Sequence, residues 1–296
     1  MMKRVLILGG TGMLGHKLVQ KFRNRFDTWV TARNSFSRLE KYGIYDPSKT
    51  VSHVDSLNPD SILSTVGKVQ PEVVINCIGI IKQLDEAKDP VLSLKINSLF
   101  PHQLAMICKA AHARMIHVST DCVFNGRKGM YVETDPSDAE DLYGKTKFLG
   151  EVSGDENALT LRTSIIGREM TTSKSLIDWF LSQRGKTVNG YEKAVYTGLT
   201  THAFADILAD VINHHPKLHG LYQVSADPIN KYELLKIVNE CYHAGITIQK
   251  DSQFFCDRSL DSSKFRKITG YRPPAWETMI EEMAHDPTDY EAWHKI

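Results

Sequence analysis

Short apolar runs alternate along the chain with segments in which apolar residues recur every three or four positions. The first apolar run covers residues 5–8 and is continuous, which is typical of a strand buried on both faces of a parallel sheet. Directly after it, Leu14, Leu18, Val19 and Phe22 follow a helical period. The first thirty residues therefore predict a strand, a turn and a helix.

Five further strands are predicted from runs that end at glycine or polar residues. Their ranges are 27–32, 51–54, 72–78, 114–118 and 158–161. Helical patterns at 59–69 and 91–113 fall between them, and Pro101 predicts a kink or a break in the second helix. Strands that alternate with helices predict an α/β fold of the Rossmann type, with a doubly wound parallel sheet.

After Gly167 this alternation gives way to short helices. The helical segments are 173–182, 201–214, 230–242, 260–269 and 276–284, with a loop-rich segment at 185–201 and a final strand at 221–224. The pattern predicts a Rossmann domain at 1–166, completed by segments within 195–225. Residues 167–194 and 226–296 then form a smaller mixed α/β lobe that closes a cleft for substrate.

The composition is that of a soluble protein that binds a small molecule. The chain has 296 residues, about the upper limit for one hydrophobic core, which favours a large domain with a smaller lobe. A net charge of +1 gives no electrostatic signature of nucleic acid or an anionic membrane. We therefore expect neither as a partner.

Cysteine content and the absence of long apolar runs predict a reduced cytoplasmic location. The five cysteines are widely spaced and include no C-x-x-C pair, so neither a disulfide framework nor a zinc site is predicted, and we expect no metal. The apolar run after Lys3-Arg4 is too short for a signal peptide, and no run has the length of a membrane span.

The turn after the first strand carries glycines at positions 9, 12 and 15 and opens a helix, which is the setting of a dinucleotide-binding fingerprint. These glycines would allow a tight turn, a close approach of a pyrophosphate and close packing of helix on strand, while the helix N-terminus faces the phosphates. His16 stands where a P-loop needs lysine, so that motif is rejected. The candidate cofactor-binding residues in the turn are Gly9, Thr11, Gly12, Met13, Leu14 and Gly15.

Arg33 follows the second predicted strand, where an NAD-preferring site would carry a carboxylate for the ribose 2′-hydroxyl. A guanidinium at this place would pair with a 2′-phosphate, so we predict NADPH, with NADH as the other possible cofactor. The other cofactor-binding candidates lie near the carboxyl ends of the second, third and fourth strands: Asn34, Asp55, Ser56, Ile78 and Gly79.

The spacing Y-x-x-x-K occurs three times, and about one occurrence is expected by chance. Residues four apart share one face of a helix, so a lysine can hold its ammonium near a phenol. Tyr45–Lys49 encloses a proline, and Tyr232–Lys236 reads as packing in the C-terminal lobe. Tyr143–Lys147 differs because it follows a strand that ends in the hydroxyl residues Ser119 and Thr120.

With these motifs the chain is similar to the extended short-chain dehydrogenases/reductases. Within that group it most resembles the dTDP-4-dehydrorhamnose reductase family of nucleotide-sugar reductases. The matching stretches are 9–15, 73–79, Asn97, 119–126, 131–135, 143–151 and 161–164, with looser matches at 220–225 and 258–264.

The resemblance implies an NAD(P)H-dependent oxidoreductase that reduces the C4 keto group of a nucleotide-linked 6-deoxyhexose, in sugar biosynthesis for surface polysaccharides. It implies that Thr120, Tyr143 and Lys147 are catalytic, and that Tyr143 and Lys147 also contact the cofactor. Charge that develops on the carbonyl oxygen needs a proton, and a free tyrosine with a pKa of about 10 exchanges slowly at neutral pH. We expect the Lys147 cation to favour the phenolate and Thr120 to donate a hydrogen bond to the same oxygen.

Two departures from the family pattern leave the sugar, the C4 stereochemistry and the nucleotide (dTDP, UDP or GDP) open. Ile165 stands where many members have tryptophan, and Cys122 where tyrosine is usual. A 4,6-dehydratase typically carries Thr-Asp-Glu, which Cys122 does not match. An epimerase and a non-catalytic NADP-binding subunit, like the regulatory subunit of methionine adenosyltransferase, stay as alternatives. A homodimer is also open.

Overall fold

The computed structural model describes residues 2–295, and a sheet of seven parallel strands forms its centre. The strands are β1 (Arg4–Leu8), β2 (Asp27–Thr31), β3 (Thr50–Val51), β4 (Val73–Asn76), β5 (Arg114–Thr120), β6 (Ala158–Thr163), β7 (Ile165–Ile166), β8 (Thr187–Tyr196), β9 (Leu199–Thr200), β10 (Gly220–Gln223), β11 (Ile229–Asn230) and β12 (Thr247–Asp257). The central sheet has the order β10, β6, β5, β4, β1, β2, β3. The predicted Rossmann-type fold is confirmed.

Helices cover both faces of this sheet. They are α1 (Met13–Phe22), α2 (Pro59–Val69), α3 (Pro90–Ser93), α4 (Phe100–Ala110), α5 (Leu142–Leu149), α6 (Leu176–Leu181), α7 (Thr201–His214), α8 (Lys231–Cys241), α9 (Ser263–Thr269), α10 (Trp276–Ala284) and α11 (Tyr290–Lys295). In residues 2–295, no helix combines the length and the apolar character that crossing a bilayer requires.

Alternate residues of β1 enter two different hydrophobic cores. Val5 and Ile7 pack with α1 and α7 on one face, whereas Leu6 and Leu8 pack with α2 and α4 on the other. All four side chains are fully buried. This explains why the strand is continuously apolar, since side chains of a strand point alternately to opposite faces.

The strand order reverses at β1, which lies between β2 and β4. In open α/β sheets such a reversal leaves a crevice at the carboxyl ends of the strands, where ligands bind. Here the crevice lies between the turn after Leu8 and the loop after Asn76. The glycine turn, Ile78, Gly79 and the end of β5 therefore come to the same edge.

The long predicted helix is continuous from α3 to α4 through a wider π-helical segment, Leu94–Leu99. The backbone N–H of Phe100 donates to the carbonyl of Lys95, five residues earlier. Pro101 has no backbone N–H to donate, and the wider turn directly before it carries the chain past the residue without a break.

A smaller sheet has β8 at its centre, antiparallel to β11 and parallel to β12. The prediction of a loop-rich segment at 185–201 is therefore wrong, as is the prediction that 221–224 holds the final strand. A glycine inside a strand, such as Gly190 in β8, usually weakens that strand. In the structure a Cβ at this position would lie 2.6 Å from the ring of Tyr232, so close packing of α8 requires the glycine.

Candidate active site

The turn between β1 and α1 is so tight that Gly9 and Gly15 cannot be replaced by larger residues without strain. Gly9 has a φ of +79°, and its N–H donates to the Thr31 hydroxyl at 3.2 Å. A Cβ on Gly15 would lie only 2.1 Å from the carbonyl oxygen of Gly9. The helix can therefore approach the strand this closely only without a side chain at position 15.

The surroundings of Gly12 are open, in contrast to those of Gly15. A Cβ placed on it would meet only the carbonyl oxygen of Gly9, at 3.5 Å. Gly12 is the residue before α1 and supplies no side chain to cap the helix, while Thr11 and Gly12 are exposed. The first N–H groups of α1 thus face an open surface, which fits the phosphates of a dinucleotide.

The remaining residues predicted in the turn differ in what they can contact. Met13 is half-buried at the start of α1, whereas the side chain of Leu14 belongs to the hydrophobic core. Only the backbone of Leu14 is in a position to face a ligand.

The ends of β2 and β3 lie side by side, because the N–H of Val54 donates to the carbonyl of Ala32 at 3.0 Å. The residues that follow, Arg33 and Asn34 on one strand and Asp55 on the other, are exposed, and Ser56 is half-buried. Arg33 is thus exposed just after β2, whose end lies beside the glycine turn because the N–H of Gly10 donates to the carbonyl of Thr31 at 3.3 Å. The structure brings these four predicted residues together.

Ile78 and Gly79 connect the glycine turn to Lys147. A Cβ on Gly9 would lie 3.0 Å from Cγ1 of Ile78, and a Cβ on Gly79 would lie 4.0 Å from Nζ of Lys147. The amide of buried Asn97 fixes this loop, since it accepts from the N–H of Ile80 at 2.9 Å and donates to the carbonyl of the same residue at 3.0 Å. Ile78 and Gly79 therefore lie between the glycine turn and Lys147.

Tight packing of α5 brings Tyr143 to Thr120. The carboxylate of Asp141 caps the helix by accepting from the N–H of Gly144 at 2.7 Å. A Cβ on Gly144 would lie 2.1 Å from the carbonyl oxygen of Cys122, so the helix start is pressed onto the loop after β5. The hydroxyl of Thr120, which lies against the Tyr143 phenol, is one of the groups that act on the pKa of that phenol.

The phenol of Tyr143 is held in its protonated form. Burial raises its pKa, and the Asp121 carboxylate raises it further, whereas the Thr120 hydroxyl lowers it. We expected Lys147 to favour the phenolate, but in this structure burial outweighs any such effect. Tyr143 is therefore set up to donate a proton.

Lys147 is buried, and its ammonium donates a hydrogen bond of 2.8 Å to the carbonyl of Val118 on β5. Burial lowers the pKa of Lys147 to about 8, although Glu151 raises it. Glu151 is itself fixed, because its carboxylate accepts from Ser119 at 2.7 Å and from two nitrogens of Arg162 at 2.7 Å each. This buried network holds the end of β5 against α5.

Two cations near the loop after β5, Arg258 and Lys231, were not predicted from the sequence. The Arg258 guanidinium donates to the carbonyl of Phe124 at 2.8 Å and approaches the sulfur of Cys122 at 3.8 Å. The ammonium of Lys231 lies 4.2 Å from the ring centroid of Tyr196. Both cations come from segments beyond residue 225, and a basic residue directly after the helix cap Asn230 was the available signal for Lys231.

Tyr45, from one of the two Y-x-x-x-K pairs set aside above, fixes the glycine turn. Its hydroxyl donates to the carbonyl of Gly10 at 2.9 Å and contacts the sulfur of Met170 at 3.1 Å. His16 is also structural: its ring bonds the carbonyl of Gly12 and the hydroxyl of Tyr290, both at 2.9 Å, and burial lowers its pKa to about 4. Neither residue faces a reacting group.

Comparison with known proteins gives consistent matches over most of the chain. The model of the family described as the RmlD substrate binding domain matches residues 2–288. The chain is 27% identical to dTDP-4-dehydrorhamnose reductase of Salmonella typhimurium over 257 residues, which cover 77% of this chain and 84% of that protein. It is 26% identical to methionine adenosyltransferase 2 subunit beta of Xenopus tropicalis over 294 residues, which cover 94% of this chain and 80% of that protein.

A solved structure extends the likeness to the fold. The dTDP-4-dehydrorhamnose reductase of Bacillus anthracis, in complex with NADP, superposes with a TM-score of 0.77 and 19% identity. The superposition covers 96% of this chain and 99% of that one. At this identity the likeness shows the fold.

Proposed function

Because the chain belongs to the RmlD substrate binding domain family, we propose that it reduces the 4-keto group of a nucleotide-linked 6-deoxyhexose with NADPH. The family and its reductase relatives make the chain an NAD(P)-dependent oxidoreductase. The finer proposal rests above all on one observation. Ile78 and Gly79 lie between the glycine turn and Lys147, and Lys147 is on the same helix as Tyr143, whose phenol lies against Thr120.

In this proposal the crevice around β1 holds the dinucleotide. The N-terminus of α1 and the open face of Gly12 bind the phosphates, and Arg33 pairs with the 2′-phosphate. Lys147 binds the nicotinamide ribose hydroxyls. Residues 1–166, completed by segments within 195–225, form the cofactor domain, and the smaller lobe covers the sugar.

The chemistry of the chain's own residues is proton delivery. A nicotinamide dinucleotide, when bound, supplies the hydride that adds to the carbonyl carbon. Tyr143 donates its phenolic proton to the carbonyl oxygen, so that C–H and O–H bonds form as the C=O π bond breaks. Thr120 donates a hydrogen bond to that oxygen, and the Lys147 cation stabilises the phenolate that remains.

The substrate in this proposal is a nucleotide sugar, and the product serves surface polysaccharide synthesis in the cytoplasm. The reductase relatives act on a dTDP-linked sugar, as their names state. Cys122 argues against dehydration, because burial raises its pKa to about 12 and keeps it a neutral thiol, whereas the dehydratase pattern has a carboxylate there.

The proposal is tested by NADPH oxidation with dTDP-, UDP- and GDP-linked 4-ketosugars. We expect turnover with at least one of them, and a fall of about 100-fold or more in kcat for Tyr143→Phe. Tyr232→Phe, in the Y-x-x-x-K pair of α8, is the matched control and keeps full activity. Tight NADPH binding without any turnover would instead favour a non-catalytic NADP-binding subunit.

A further inference from the structure

Lys231 lies at a position where a positive charge lowers the stability of the fold. It is the first residue of α8, directly after the cap Asn230, where the positive end of the helix dipole opposes an ammonium. It is also half-buried, and burial lowers its pKa to about 8. A charged side chain that destabilises the fold through its burial and through the helix dipole is more often functional than structural.

Other lysines nearby are arranged differently. In the part of the chain that the structure describes, Lys236 on the same helix pairs with Glu233 at 3.0 Å, and Lys250 pairs with Glu192 at 2.8 Å. The ammonium of Lys231 lies instead over the ring of Tyr196. Within residues 2–295 this ammonium makes no hydrogen bond or ion pair, so its three donors can bind a ligand.

The surroundings of Lys231 place it beside the proposed catalytic residues. Asn230, directly before Lys231, pairs with Val195 of β8, whose carbonyl accepts from the N–H of Arg258 at 3.4 Å. The Arg258 guanidinium in turn approaches the sulfur of Cys122, two residues after Thr120, at 3.8 Å. The start of the helix that carries Tyr143 packs on the carbonyl of the same Cys122. Lys231 and Tyr143 therefore face the same loop, Lys231 from the smaller lobe and Tyr143 from the cofactor-binding part.

We propose that Lys231 is a substrate-binding residue that donates a hydrogen bond to an oxygen substituent of the sugar next to the carbon held by Thr120 and Tyr143. The inference rests on the proposed function and names a specificity contact within it. A sugar oxygen fits better than the diphosphate, because contacts through Val195 and Arg258 join the start of α8 to Cys122, two residues after Thr120.

Isothermal titration calorimetry on the full chain saturated with NADP⁺ tests this inference. Three ligand pairs separate the sugar from the diphosphate: dTDP-rhamnose with dTDP, UDP-glucose with UDP, and GDP-fucose with GDP. The variants are Lys231→Met and Lys231→Arg, with Lys236→Met as the matched control on the same helix. Thermal unfolding of each variant is measured in parallel.

For the pair that the wild type binds, we expect Lys231→Met to weaken the nucleotide sugar by about 10-fold or more and the free nucleoside diphosphate by less than about twofold. Lys231→Arg recovers part of the loss, Lys236→Met changes nothing, and Tm of Lys231→Met is equal to or above that of the wild type. NADPH turnover shows the loss in KM rather than in kcat.

Four results would overturn the inference. Equal weakening of sugar and free diphosphate would place Lys231 on the diphosphate, and unchanged binding would leave it no role. A lowered Tm with unchanged affinity would make it structural. Failure of the wild type to bind any of the three pairs would overturn the proposed function and this inference with it.

Discussion

The phenol of Tyr45 donates a hydrogen bond of 2.9 Å to the carbonyl oxygen of Gly10, in the middle of the turn assigned to the cofactor phosphates. Tyr45 is buried, and its ring belongs to the larger hydrophobic core. The glycine turn is therefore fixed by a tyrosine 35 residues further along the chain. A flexible glycine segment becomes rigid in this way before any ligand arrives.

Replacing Tyr45 by phenylalanine should loosen the turn without creating a cavity. Loss of the hydroxyl leaves the buried carbonyl of Gly10 without this partner, which costs about 1 kcal/mol of unfolding free energy. NADPH affinity should fall with it. Urea unfolding and NADPH fluorescence titration measure the two effects. Tyr191→Phe, in the smaller sheet, is the control, and unchanged values for Tyr45→Phe would contradict the role.

Alanine at Gly12 and at Gly15 should have different consequences. The Gly15→Ala methyl would collide with the carbonyl of Gly9, so we expect a stability loss of about 1–3 kcal/mol as well as lost NADPH binding. The Gly12→Ala methyl meets open space, so stability should change by less than about 0.5 kcal/mol. NADPH affinity should nevertheless fall on the order of 10-fold, about 1.4 kcal/mol. Equal NADPH affinity of Gly12→Ala and wild type would remove the phosphates from this surface.

Arg33→Ala should change the cofactor preference and nothing else. The exposed guanidinium would lose a charge-assisted bond to the 2′-phosphate, which predicts an NADPH affinity lower by about 10- to 100-fold. NADH carries no such phosphate, so its affinity should stay the same. Arg184→Ala, on the exposed surface of the smaller lobe, serves as control. A parallel fall for both cofactors would show that Arg33 does not read the phosphate.

The activity should fall as the pH rises above about 8, the value to which burial lowers the Lys147 pKa. Below that pH Lys147 is a cation that stabilises the Tyr143 phenolate, and above it the cation is lost. The raised pKa of Tyr143 keeps its phenol protonated through the same range, so the fall should not come from the tyrosine. The measurement is kcat against pH from 6 to about 10.

Lys231 titrates near the same pH, so the profile is repeated in Lys231→Met. A descending limb that persists in this variant belongs to Lys147. If the limb disappears, the assignment to Lys147 is wrong.

The first 165 residues could be predicted well because their signals are local. The apolar run of β1, the glycine turn and the period of α1 adjoin each other in the chain. In contrast, β8 depends on β12, which begins 51 residues after β8 ends. Gly190 inside β8 is explained by the ring of Tyr232, which no local pattern reveals.

The residues of the proposed site also differ in whether a local sequence pattern reveals them. Thr120, Tyr143 and Lys147 lie on β5 and α5, which follow each other in the chain, so a local motif could point to them. Lys231 and Arg258 come from more than 80 residues further on. Their position is decided by tertiary packing, so the sequence could predict the Tyr–Lys pair after Thr120 but not these two cations.

The bond between His16 and Tyr290 joins residues 274 positions apart, and Lys17 pairs with Asp286 close by. Helix α1 therefore emerges from the ribosome long before the segment that anchors it. Closing so long a loop carries a large entropic cost, and contacts of this separation slow folding. A nascent chain thus displays helix α1 without its final support, and the bond that anchors the helix forms only after Tyr290 has been made.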